Sequence, residues 1–215
     1  MMDAATFWSL PRSARPRSVM EEILPTIPPL AGVFTLDLPS SVHVIGGGGG
    51  EWTVQIVDGL SVVDAGAADE VAVRVSLTRS HLREVVGGAL RDRGVALMKR
   101  LGKPSAFPDL TILPIDPSRL DAVAALDGSI AIEVHDRDMR DSYRFVISFG
   151  SGPAQYDDVT TTVHVDADEV VDQLVAGASM SALLKGSRVR IEGDLGLPLA
   201  ALRAAFGADG VERGR

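Results

Sequence analysis

Cysteine is absent from this chain of 215 residues. That excludes disulfides, thiolate metal sites and thiol nucleophiles at once. Aromatic residues make up only 5% of the chain against a hydrophobic fraction of 46%, so the interior must be built from valine, leucine, isoleucine and alanine. Such an interior packs well and can equally wall a site for an apolar ligand. Positive charge is not in excess: the net charge is −8 and the pI about 5.0. This argues against a nucleic-acid partner and weakens any charge-driven attraction to an anionic membrane. No apolar run approaches the roughly 18 residues of a membrane span. The N-terminus lacks the apolar stretch of a secretory signal, which reads as a cytoplasmic protein.

Catalytic signals are also missing. Ser179, Ser181 and Ser187 stand outside any Gly-x-Ser-x-Gly pattern. The five glycines at 46–50 lack the Lys-Ser/Thr and helix start of a phosphate loop and read as a hairpin loop. Of the four histidines, His43, His135 and His164 alternate with apolar neighbours and are expected to face solvent, while His81 falls in the first turn of a helix. None pairs with another at ligand spacing, so no metal site is expected. The charge cluster at 136–141 alternates Asp136, Asp138 and Asp141 with Arg137 and Arg140. It reads as a hairpin turn with interleaved ion pairs rather than a cation site.

Along the chain, residues 1–18 read as a tail, with Phe7, Trp8 and Leu10 its large apolar groups. They can lie on the protein's own surface or make transient contact with a membrane. Residues 19–103 form a first α+β unit. Met20 to Leu24 is helical until Pro25, residues 33–38, 41–45 and 52–57 alternate like strands, and 60–64 is a short strand. A strand around Val73 then leads into a helix capped by Thr78. The prolines at 104, 108, 114 and 117 mark residues 104–117 as a linker.

Residues 118–207 form the second unit, and 208–215 are a charged tail. Ser118 and Asp121 make a capping box for a short helix that Gly128 ends. Strands follow with Ile130, Ile132 and Val134 on one face, then Tyr143, Phe145, Ile147 and Phe149, then Val159, Thr161, Val163 and Val165. Asp166 caps a helix through Ala178, residues 188–192 alternate as a fourth strand, and Pro198 sits in the first turn of a last helix that Gly207 closes. Strands grouped between helices predict an α+β fold with an antiparallel sheet covered on one face by helices. The strict alternation predicts that the other face is wet.

The two units resemble each other. Leu30-Ala31-Gly32 before a strand matches Leu126-Asp127-Gly128 before a strand. Trp52 to Gly59 matches Tyr143 to Gly150 in its leading aromatic, its alternation and its closing glycine. Val73-Arg74-Val75 with its capped helix matches Val163-His164-Val165 with its own. Internal duplication is the reading favoured over a chance likeness of two α+β halves.

Lys185-Gly186-Ser187-Arg188-Val189-Arg190-Ile191-Glu192-Gly193-Asp194, followed by a leucine-rich helix, resembles the C-terminal signature of sterol carrier protein-2 domains. The strand and capped helix from Thr161 to Ala178 fit as well. The resemblance implies a curved sheet of five strands and an apolar tunnel between sheet and helices. Leu195 to Leu197 is the available start of a fifth strand. By resemblance the tunnel is lined by Phe145, Ile147, Val163, Leu174, Leu183, Ile191, Leu199, Leu202 and Phe206. All of these fall on inward faces by periodicity too, though periodicity does not distinguish a tunnel from a filled core. The expected function is noncatalytic binding or transfer of a lipid, sterol or fatty acyl chain, with no catalytic residue, metal or cofactor. The alternatives are an enzyme that cyclises or isomerises an apolar molecule in the same cavity, with Glu192 and Asp194 the nearest acids, and a pocketless interaction module.

Overall fold

The computed structural model of the chain describes residues 13–26, 40–57, 60–68, 71–100, 120–169 and 189–212. Eight strands form one sheet in the order β3-β2-β1-β4-β6-β5-β7-β8. They are β1 Ser40–Ile45, β2 Gly50–Val57, β3 Leu60–Ala65, β4 Val73–Thr78, β5 Gly128–Asp136, β6 Asp141–Phe149, β7 Thr161–Asp166 and β8 Arg190–Gly193. Neighbours run antiparallel except β1 with β4 and β5 with β7, which run parallel. The fold is therefore α+β, with an open, mostly antiparallel sheet. Gly46 to Gly49 form the β1–β2 turn, where Gly46 and Gly48 take left-handed backbone conformations, with φ of 113° and 74°.

Helices cover one face of the sheet. A short helix, α1 (Pro16–Ser18), runs on through a π turn at Val19–Ile23 and a 3₁₀ turn at Leu24–Thr26. Then come α2 (Arg79–Gly87), α3 (Ala89–Arg100), α4 (Leu120–Ala124) and α5 (Gly196–Glu212). Thr78 caps α2, its Oγ1 accepting from the His81 N–H at 3.2 Å. Val42, Val44, Trp52, Val54 and Leu77 project toward Val19, Met20, Leu82 and Val86 to make one core cluster. Ile130, Val134, Tyr143, Phe149, Val163 and Val165 meet Val123, Leu197 and Ala204 in a second. Phe145 touches both, so a single apolar face runs the width of the sheet. Ala14 packs on the first cluster and Pro16 is buried, so this part of the 1–18 segment lies against the domain. Among the described residues, no helix is long and apolar enough to cross a membrane.

The halves share a pairing pattern. Val42 of β1 stands opposite Trp52 on its antiparallel side and Val75 on its parallel side. Val134 of β5 stands opposite Tyr143 and Val165 in the same way. β4 and β6 join the halves edge to edge. Arg93 of α3 ties them again: its guanidinium grips both carboxylate oxygens of Asp136, at 3.0 and 2.6 Å, and also pairs with Asp138 and Asp168. The residues on which the 104–117 boundary rests, the 33–38 strand and most of the helix after Asp166 lie outside the described residues.

Three sequence expectations change. Leu195 to Leu197 does not begin a strand: Gly196 and Leu197 already belong to α5, which runs on past Gly207 to Glu212. The reason lies just upstream. Gly193 has φ +93°, and a Cβ there would sit 2.5 Å from the Thr160 carbonyl oxygen, so the chain turns sharply. The Asp194 carboxylate then accepts the Gly196 N–H at 2.7 Å and starts the helix. The second half thus has four described strands.

The second sheet face is also not simply wet. Val146 and Ala131 on that face are fully buried, as are Ser41 and Ser76. The 150–160 segment folds back over its centre. Arg74 donates to the Gly150 carbonyl, the Gln155 N–H donates to Ser148 Oγ, and the Arg144 guanidinium donates to the Tyr156 carbonyl while lying 5.6 Å over the Tyr156 ring. The third change concerns the histidines.

Candidate functional site

The apolar wall comes first. Phe145, Ile147, Val163 and Ile191 belong to the core cluster of the second half. They share a face because they sit at alternate positions of β6, β7 and β8, in register: Ile147 faces Ile130, Phe145 faces Ile132, and Val163 lies between Ile132 and Ile191. Val163 is buried and the other three are partly so. On α5, Leu202 is partly buried while Leu199 is exposed at 36%. Leu174 and Leu183 lie outside the described residues, as does the side chain of Phe206. Asp136 lies at the end of this face with its carboxylate buried. Burial alone would push its pKa up, but the Met139 N–H, the Arg93 guanidinium and the Asp138 N–H together hold it below the usual carboxylate range. It is an ionised structural acid.

The polar face carries a second arrangement. Glu133 and His135 are two residues apart on β5 and so point the same way, and the parallel register sets Glu133 beside His164 of β7. His135 Nε2 lies 3.0 Å from His164 Nδ1, with the rings stacked 5.3 Å apart. Glu133 Oε2 lies 3.3 Å from His164 Nδ1, and Glu133 Oε1 accepts from Arg144 at 2.5 Å. His135 and His164 border an open pocket of about 360 Å³ that is also walled by Arg137, Val165, Asp166, Val189 and Arg190.

The expectation that no two histidines pair therefore fails for His135 and His164; His135 still faces solvent, with 43% of its side chain exposed, whereas His164 keeps only 12%. Sequence spacing could not bring them together, because their contact depends on β5 and β7 being neighbours. A signal was present all the same. Glu133-x-His135 occupies one strand face, and a later strand can land parallel beside it, here after β6 and the 150–160 segment. His81 has a different job: the Arg144 N–H donates to its Nδ1 at 3.1 Å, fastening α2 to β6. Glu192 is half exposed beside His164, and Asp194 is engaged in starting α5.

No protein-family model matches the chain, and no curated protein does. Among solved structures the chain is similar to Sterol Carrier Protein 2 Like 2 from Aedes aegypti, at 11% identity and a TM-score of 0.28, covering 52% of this chain and 97% of that one. A likeness of that size carries no argument about fold or ligand. The fold stated above rests on the strand pairing itself.

Proposed function

We propose that this protein is a noncatalytic binder of an apolar ligand, a lipid, sterol or fatty acyl chain, held between the sheet and the helices of its second half. The reading treats residues 118–207 as a unit similar to sterol carrier protein-2 domains and residues 19–103 as a degenerate copy, separated at 104–117. The observation that carries it is the apolar wall of Phe145, Ile147 and Ile191, which packs on the core cluster of the second half and is only partly buried there. Val163, Leu199, Leu202, Phe206, Leu174 and Leu183 complete the proposed lining. Burying a chain against such a wall gains roughly 0.8 kcal/mol per methylene, so a long acyl chain binds without any charged contact. Catalysis in the cavity would need an acid or base free to exchange a proton. The fully buried acid of β5 at this face, Asp136, is committed to Arg93.

The test is organic extraction of the purified full-length chain followed by untargeted mass spectrometry, paired with titration of a fluorescent long-chain fatty acid. The expected result is co-purifying lipid, or saturable probe binding that weakens when Ile147 is replaced by aspartate. Clean extracts together with no saturable binding overturn the reading in favour of an interaction module with a filled core.

A further inference from the structure

We propose that Glu133, His135 and His164 form a binding site for a divalent first-row transition-metal ion such as zinc. One ligand atom from each lies within 4.8 Å of the others. The three separations are 3.0 Å between the histidine nitrogens, 3.3 Å from Glu133 Oε2 to His164 Nδ1 and 4.0 Å from Glu133 Oε2 to His135 Nε2. An ion held at about 2.0–2.1 Å in tetrahedral geometry keeps its donor atoms roughly 3.3 Å apart. The observed triangle brackets that value, so an ion enters with sub-ångström adjustment. The donors are two imidazoles and one carboxylate, which suit zinc, cobalt or nickel better than magnesium or calcium.

The surroundings supply what such a site needs. Arg144 holds Glu133 through Oε1 and leaves Oε2 directed at the histidines. His164 is 12% exposed, and its far nitrogen, Nε2, is buried with no aligned hydrogen bond. Glu192 Oε2 stands 3.4 Å from that nitrogen. Coordination through Nδ1 requires the proton on Nε2, where Glu192 can accept it, and a carboxylate behind a ligating histidine is the usual outer-shell arrangement. The pocket beside His135 and His164 leaves room for a fourth ligand such as water. This face is opposite to the proposed apolar wall, because Glu133 and Ile132 alternate along β5, so the two readings stand or fall separately.

The experiment is calorimetric titration of the untagged, chelator-stripped full chain with zinc chloride, repeated with Co²⁺ followed by visible absorption. The expected result is one equivalent bound, with Co²⁺ bands of four-coordinate intensity. His164→Gln is expected to abolish binding. His135→Asn, at a position 43% exposed and therefore tolerant of exchange, is expected to weaken it at least tenfold, and Glu192→Gln by about tenfold. His43→Asn is expected to leave it unchanged. No uptake by the wild-type chain, or uptake unaltered in His135→Asn, overturns the proposal and leaves a histidine–histidine hydrogen bond. A His164→Gln variant that fails to fold shifts the decision to His135→Asn.

Discussion

The two faces of the sheet are built on opposite rules. On the helix-covered face, valines, isoleucines and aromatics from both halves merge into one apolar layer, and each strand contributes at alternate positions. On the other face the buried residues are small or polar: Ser41, Ser76, Ser129, Ser148, Ala131 and Val146 lie in the centre. Toward the β5–β7–β8 end come the paired charges and histidines. The first face is stabilised by area removed from water and depends little on which apolar residue supplies it. The second depends on register, since a one-residue slip would send Glu133 and His164 to the wrong side. Loss of stability is thus expected from the first face and loss of a specific property from the second.

The largest effect is expected at Tyr143, fully buried in the apolar layer. Tyr143→Ala should cost roughly 4 kcal/mol in denaturant unfolding; a cost near zero would mean that the layer can collapse around the gap. Next is the Arg93–Asp136 pair, which links the helices of the first half to the β5–β6 hairpin. Asp136→Asn leaves the guanidinium without its buried carboxylate and should cost about 2–3 kcal/mol, read from the same unfolding curves.

The same pair has a pH signature. Because the folded Asp136 carboxyl titrates below its ordinary value, its contribution is complete above the unfolded pKa and is lost as pH falls through the lower, folded one. Glu21, held low by the Trp52 indole N–H and then by Arg17, acts in the same direction. Unfolding midpoints should therefore fall from neutral pH into the region below about pH 4, and Asp136→Asn should flatten that fall. Trp52→Phe keeps an aromatic group but gives up part of the buried indole together with the 3.0 Å bond to Glu21, for an expected loss of about 1–2 kcal/mol. The smallest stability effect belongs to the polar face: His135→Asn should stay within about 0.5 kcal/mol while changing metal uptake. A large destabilisation there would erase the distinction between the faces.

Much of the apolar face is readable in the sequence. The alternation at Tyr143, Phe145, Ile147 and Phe149 placed all four on one side, and the Thr78 cap marked where α2 begins. The Gly193-Asp194 pair was legible as a motif but not as a cause. Its role is to reverse the chain and start α5, which removed the expected fifth strand. The covered centre of the polar face was not legible either, because residues 150–158 show no periodicity from which to infer that they fold back over Val146.

Alternation and capping depend on neighbours a few residues apart, so the amino-acid order by itself determined which side chains point inward, where strands give way to helices, and the α+β class. Strand order and register depend on partners tens of residues away. Only the tertiary structure could decide that β4 and β6 fuse the halves into one sheet, that Arg93 reaches Asp136, and that Glu133, His135 and His164 converge. Hydrophobic burial is non-directional and can be counted along the chain. A contact between polar atoms exists only at a set distance and angle, and the assembled sheet sets both.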